Sequence, residues 1–287
     1  MNCGIVIVLF HPDIDHVQSI VDEFSMAKWP VVIVDNSPES VCFTLPPTCK
    51  YLHFPTNVGI AKAQNIGLNF LFSNGSTHAI LLDQDSVFSL EMGASLLAQF
   101  CQLEKSYNIA ALGPSILCQF SHQVVDGKLQ KGQFINSHVK EVKQIIASGM
   151  VLSKYAFTTV GEKEAALFID GVDHEWCWRA RKYGLQVFQS LSVCMPHRQG
   201  DDRIKICGVT FKQGAPVRLY YQMRNLMLLA RRNYVPLYWK CRHLLAIPLR
   251  YLVNRFYFPH GKKRGDFMLK GLRDGIRAKS GSIEDNQ

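Results

Sequence analysis

The chain opens on an unbroken apolar run over residues 4–10, and runs of Val, Ile and Leu without alternation mark parallel strands covered on both faces. Residues 13–27 follow with Ile14, Val17, Ile20, Val21 and Phe24 at helical spacing. A second buried-strand pattern over 30–35 ends in Asp-Asn-Ser-Pro, a turn cluster. A short strand over 50–54, a helix over 59–74 and a strand over 78–82 continue the alternation. Strand, helix, strand, helix, strand predicts an α/β domain of βαβ type with a mostly parallel central sheet flanked by helices. Beyond it the pattern gives a helix over 90–106, a strand over 110–117 and a polar hairpin or loop region over 119–145. A helix over 173–184 and a strand over 186–196 come next, and from Arg218 onward the chain turns helix-prone and rich in Arg, Tyr and Leu.

In such sheets ligands bind beyond the carboxyl ends of the strands. Asp35 and Asp83 both stand there, each directly after its apolar run. Asp83 and Asp85 are two apart, and extended backbone would turn both carboxylates to one side. Like charges that close repel unless a proton or a cation intervenes. A solvated turn and a divalent-metal site are the two readings, and the place after a buried strand favours the metal. For Asp35 the alternatives are an Asx turn with Asn36 and a hydrogen bond to a ribose or base edge.

A second cluster, FIDGVDHEWCWR over 168–179, carries Asp170, Asp173 and Glu175 beside Trp176 and Trp178. Acidic residues in a helix's first turn are favoured by the macrodipole, and one of these carboxylates could instead serve as general base on a hydroxyl. The tryptophans suit a sugar-stacking platform or plain core. His197 ends the strand before Arg198 and Asp201-Asp202, where it is either structural or a third metal ligand. Arg218, Tyr221, Arg224 and Asn225 share one helical face, a packed helix or a diphosphate clamp.

Composition narrows the classes. At 47% hydrophobic and 19% charged over 287 residues, the chain can bury a large core and is not a disordered type. Its 32 basic against 23 acidic residues give a formal charge of +9, which points to an anionic partner. Nine cysteines without a C-x-x-C pair read as reduced, mostly buried thiols of a cytosolic protein. The segment MNCGIVIVLF lacks the basic region of a signal peptide, and no run of about 18 apolar residues predicts a spanning helix.

The order VVIVDNS, FPTNVGIAKAQNIGL, AILLDQDS, IASGMVLS, LFIDGVDHEWCWRARKYG, a strand ending in PH, and RLYYQMRN resembles family 2 glycosyltransferases of the GT-A fold. The match lies nearest the rhamnosyltransferase branch used in bacterial polysaccharide assembly and covers about residues 3 to 230, the catalytic domain being taken as 1–230. The resemblance implies inverting, non-processive transfer of L-rhamnose from dTDP-L-rhamnose, with Mg2+ or Mn2+ holding the diphosphate. It implies donor contacts from Asp35, Asn57, Gly59, Asp83 and Arg224, with Asn65 in support. Metal ligation falls to Asp85, Asp83 and His197, and acceptor contacts to Trp176, Gly149 and Tyr221. Asp173 takes the place of the family's base, although Val172 stands where the family carries a glutamate. The Q-x-x-R-W element of processive synthases is absent, Gln222-Met-Arg-Asn225 standing in its region.

Residues 231–287 form a basic tail. Between Lys240 and Lys279 it holds eleven Lys/Arg, two acidic residues and many Leu, Tyr and Phe. Such mixing suits a helix lying on an anionic membrane surface, or a cationic face closing the catalytic domain. The expectation is a cytoplasmic enzyme, peripheral on the inner face of the membrane, acting on a lipid-linked or oligosaccharide acceptor. A different donor such as a UDP-hexose or UDP-galactofuranose is the nearer alternative. A non-enzymatic nucleic-acid binder is the distant one, since it gives no reason for carboxylates at strand ends. Oligomeric state is left open.

Overall fold

A computed structural model describes residues 2–118, 132–197, 202–206 and 209–286. The elements run β1 (Cys3–Leu9), α1 (Ile14–Met26), β2 (Val31–Asp35), β3 (Cys49–His53), α2 (Ile60–Ser73), β4 (His78–Asp83), α3 (Leu90–Glu104) and β5 (Ile109–Cys118). They continue with β6 (Gln133–Phe134), β7 (Val139–Val142), β8 (Met150–Ser153), α4 (Lys154–Val160), α5 (Val172–Lys182), β9 (Gln186–His197), β10 (Asp202–Ile206) and β11 (Val209–Gln213). The last four helices are α6 (Pro216–Ala230), α7 (Leu237–Leu245), α8 (Ile247–Phe256) and α9 (Gly261–Ile276).

Among the described residues the main sheet has the order β3-β2-β1-β4-β8-β5-β9-β7-β6, and β10 and β11 form a separate antiparallel pair. The expected α/β sheet between helices is present. Its first four strands pair in parallel, but β8 is inserted antiparallel between β4 and β5, and β7 lies antiparallel to β9, so the sheet is mixed. The polar stretch after β5 contributes the β6–β7 hairpin, while residues 119–131 lie outside the described residues.

Every residue of β1 and β2 is buried, because alternate side chains go to two separate cores. Ile5, Ile7, Val31 and Ile33 pack with Val17, Val21 and Phe24 of α1 and Leu96 and Phe100 of α3. Val6, Val8, Val32 and Val34 face Leu68 and Leu71 of α2, Phe157 of α4 and Trp176 of α5. The result is an α/β/α layering whose strand ends rise to one crest, with Leu9 level with Asp35 and Val8 level with Asp83.

The C-terminal helices are anchored on α6. Gly271 and Gly275 let α9 run against it, since a Cβ at Gly271 would collide with the Tyr220 carbonyl and one at Gly275 would lie 2.7 Å from the Arg224 carbonyl. Tyr220 donates to Asp274 at 3.0 Å, and Lys270 pairs with the same carboxylate. No helix of the described residues is long and apolar enough to cross a membrane. Cys3 and Cys177 are free and buried, whereas Cys42 and Cys241 are free and exposed, so burial is less general than the sequence suggested.

Candidate active site

The turn after β4 is built by three of its four residues. The Asp83 N–H donates to Ser86 Oγ at 3.0 Å, the Ser86 N–H returns to the Asp83 carbonyl at 3.0 Å, and Gln84 Oε1 accepts from the Phe10 N–H at the end of β1 at 2.6 Å. Asp85 is exposed, with no protein partner among the described residues. Turn geometry therefore uses Asp83, Gln84 and Ser86 and leaves the Asp85 carboxylate to solvent or to a ligand.

Residues 147–149, just before β8, join two parts of the sequence that lie far apart. The Gly149 N–H donates to the Leu81 carbonyl at 2.8 Å, and Gly149 takes φ +77° with its Cα so close to Pro114 that a Cβ would sit 2.8 Å from the proline ring. The Ser148 hydroxyl donates to Asp83 Oδ2, and the Ala147 N–H donates to Asp173 Oδ2 at 3.0 Å. Asp83 and Asp173 are thus held by neighbouring residues of one short segment.

Asp173 sits in the first turn of α5, after Gly171 in the left-handed region at φ +89°. Its other oxygen, Oδ1, accepts from Lys163 Nζ at 3.1 Å. The lysine side chain is wholly buried while the aspartate keeps 26% of its side chain exposed. A helix N-terminus, a backbone N–H and a buried ammonium therefore surround one accessible carboxylate. Lys163 itself is fixed by Asn65 of α2, whose amide donates to the Lys163 carbonyl and accepts from the Lys163 N–H, both at 2.8 Å. Asn65 supports Asp173 through that lysine.

Asp35 is fully buried and has two partners, the Ser37 N–H at 2.8 Å and the Tyr51 hydroxyl at 2.6 Å. Burial and then the Asp35 hydrogen bond push the Tyr51 phenol up to about 12. The Asx turn and the crest position thus coexist in Asp35. Asn36 Oδ1 accepts from the Val58 N–H at 3.3 Å, and Asn57 Oδ1 from the Gly59 N–H at 2.9 Å, which brings the DNS and TNVG stretches together. Gly59, at φ +82°, approaches so near Phe168 that a Cβ would meet its ring at 2.6 Å, and the Ile60 N–H donates to the Phe168 carbonyl at 2.9 Å.

The YY-x-x-RN motif holds the same loop from the other side. Asn225 Nδ2 lies 2.9, 2.7 and 2.8 Å from the carbonyls of Leu167, Ile169 and Asp170. Arg224 donates to the carbonyls of Gly281, Ala166 and Leu167 and to Asn225 Oδ1. Phe168 stacks on Tyr221 with centroids 5.0 Å apart. The FIDG stretch and the Arg224-Asn225 pair are one structural unit, with FIDG as the loop and the pair as its staple.

Three expectations change accordingly. Arg224 is fully buried with its donors spent on carbonyls, so it holds the loop and is not free to clamp a diphosphate. Trp176 is fully buried in the core under the sheet, its Nε1 donating to the Gly161 carbonyl at 2.9 Å, and offers no stacking platform. Tyr221 is buried against Phe168 and accepts from the Ile283 N–H at 3.0 Å, so it too is structural. Glu175 and Arg179 organise the helix region as expected: the pair lies at 2.8 Å, and Arg179 also donates to the carbonyls of Val160 and Glu162. His197 closes β9 beside Cys118, while its side chain and residues 198–201 lie outside the described residues.

No group of three His, Cys, Asp or Glu among the described residues could hold a metal ion alone. The pair formed by an exposed Asp85 and a half-buried Asp83 still fits a hard cation that takes one or two carboxylates and completes its shell from substrate phosphate oxygens. Lys163, Ala147 and Ser148 were missed by sequence reasoning. For Lys163 the neighbouring Glu162 and Glu164 suggest a solvated loop, and nothing local announces a buried cation.

No family model matches the chain. The dTDP-rhamnosyl transferase RfbF of Shigella flexneri is 32% identical, with 98% of each chain covered. The crystal structure of GalNAc-T7 with UDP, GalNAc and Mn2+ superposes with a TM-score of 0.57 at 13% identity, over 96% of this chain and 56% of that one, a likeness of fold. At the identity to the Shigella enzyme, over nearly all of both chains, the protein belongs to the rhamnosyltransferase branch of the family 2 glycosyltransferases, and its architecture is their GT-A fold.

Proposed function

We propose that the enzyme moves L-rhamnose from dTDP-L-rhamnose to a hydroxyl of a lipid-linked glycan, with inversion and one sugar at a time. The observation that carries the mechanism is the Asp83–Ser148–Ala147–Asp173 connection, which sets a partly exposed carboxylate beside the strand crest. Asp173 takes the proton of the acceptor hydroxyl as the oxygen attacks C1 from the face opposite the nucleotide. A single displacement inverts C1 and requires no nucleophile on the protein. Asp35, Asn57 and Gly59 shape the nucleoside end of the donor site, and Gly149, packed against Pro114, keeps the segment that carries Ser148 and Ala147 close to the sheet on the acceptor side. Asp85, with Asp83 and His197, would hold a divalent ion, which when bound offsets the charge that accumulates on the leaving diphosphate.

A donor screen with the purified chain, following nucleoside diphosphate release with and without EDTA, tests this reading. Release is expected with dTDP-L-rhamnose, lost on chelation and restored by Mn2+. Turnover of UDP-hexoses in preference to it would identify a different donor, and turnover indifferent to EDTA would remove the metal from the mechanism.

The membrane-surface reading draws support from α7 and α8, where Leu237, Leu245, Leu249, Leu252 and Phe256 are exposed beside Arg242 and Arg255. The protein is expected to float with vesicles containing phosphatidylglycerol at low salt and to be released as salt rises. Recovery wholly in the soluble fraction at physiological salt would sink this attachment.

A further inference from the structure

Beside the N-terminus of α5 lies a half-open cavity of about 360 Å³ between α5, α6, α7 and α8. Gly171 and His174, which flank Asp173 in the chain, form part of its wall. Trp239, Arg242 and His243 from α7 and Arg250 from α8 add aromatic and cationic groups to a wall that also carries Gln222, Asn225, Leu226 and Leu229 of α6. Arg250 donates through Nη2 to Gln222 Oε1 at 2.5 Å, and its other N–H groups have no partner among the described residues. The Arg242 side chain makes no hydrogen bond or ion pair among the described residues. The acid in the lining, Asp170, is already taken: Arg218 donates to both of its oxygens, at 2.6 and 3.2 Å. Two guanidinium groups and two imidazoles therefore line a space whose one lining carboxylate, Asp170, has both oxygens hydrogen-bonded to Arg218.

We propose that this cavity binds the phosphate or diphosphate group of the acceptor, an assignment that rests on the transferase reading above. Three features support it. Guanidinium forks match phosphate oxygens with paired hydrogen bonds. On the transferase reading the donor's diphosphate would sit at the strand crest, on a divalent ion held by Asp83 and Asp85, which leaves this cationic site for a second anion. Trp239 packs against His243 with centroids 4.6 Å apart and the rings tilted by 38°, an aromatic wall suited to the face of the first sugar. Burial, followed by the charges of Arg250, Arg242 and His174, pushes the His243 imidazole down to about 4. The exposed Leu245, Leu249 and Leu252 belong to the same two helices, so a lipid tail on the phosphate would leave toward an apolar surface.

Calorimetry on the full chain, with dTDP and excess Mn2+ saturating the donor side, tests the assignment with inorganic pyrophosphate and farnesyl diphosphate as probes. Both should bind the wild type, and Arg242→Gln and Arg250→Gln should each weaken them by about tenfold or more, the worth of a charged hydrogen bond. Arg242 is exposed, so its substitution leaves the fold intact even if that of Arg250 does not. Tighter binding of farnesyl diphosphate assigns the phosphate to a lipid carrier, and equal binding assigns recognition to the phosphates alone. Binding that survives both substitutions, or that disappears once dTDP is present, overturns the proposal. A chain that binds pyrophosphate in this manner yet releases no nucleoside diphosphate from any donor refutes the transferase chemistry and leaves the anion site standing.

Discussion

Asp173→Asn is expected to lower the transfer rate by about 10²–10⁴-fold, the usual contribution of a positioned general base. An asparagine keeps the volume and the acceptor for the Ala147 N–H, but it cannot take a proton. Its NH2 group would also be turned toward Lys163 Nζ, which lies 3.1 Å from Oδ1, so a donor would face a donor. The loss should fall on kcat while the affinity for dTDP stays near the wild-type value, because the carboxylate acts on the acceptor side. Lys163→Met separates base from scaffold. The methionine removes the ammonium from a wholly buried side-chain position and leaves Asp173 on its backbone partner, so activity should fall less than in Asp173→Asn. Undiminished turnover in Asp173→Asn refutes the base assignment.

What the sequence displayed and what it hid follow from the range of the interactions involved. Strands β1, β2 and β4 were legible because burial on both faces writes itself as continuous apolar runs, and Asp35 and Asp83 were legible as the residues that end them. The antiparallel insertion of β8 was not, since its four residues are buried and a short Met-Val-Leu run reads the same in either direction. At the site, spacing located Asp173 but not its partners. Lys163 is ten residues away in a charged loop, and Ala147 contributes a backbone N–H that no side-chain pattern reports. Trp176, Tyr221 and Arg224 were placed at the site because aromatic and guanidinium groups suit sugars and phosphates. The same groups suit a buried loop with orphan carbonyls, and periodicity gives a residue's face on a helix without saying what covers it.

Arg224 is the sharpest case, and Arg224→Met should lower stability by about 3–5 kcal/mol, because several buried carbonyls lose their donor together at about 1–3 kcal/mol each. The guanidinium spans Ala166, Leu167 and Gly281 while lying 5.0 Å over the Tyr221 ring, so it ties the loop before Asp170 to the C-terminal segment and to α6 in one group. Lysine cannot replace it, since one ammonium does not reach carbonyls spread across a planar fork, and Arg224→Lys should recover little. Thermal unfolding distinguishes this role from a diphosphate clamp. A staple predicts a Tm lower by roughly 6–15 °C, with dTDP affinity retained in the fraction that remains folded. A clamp predicts the reverse, an unchanged Tm with weakened dTDP binding. Because the stapled loop also presents its Phe168 carbonyl to the Ile60 N–H of α2 and leads into Asp173 on α5, the variant should lose activity with its fold rather than ahead of it.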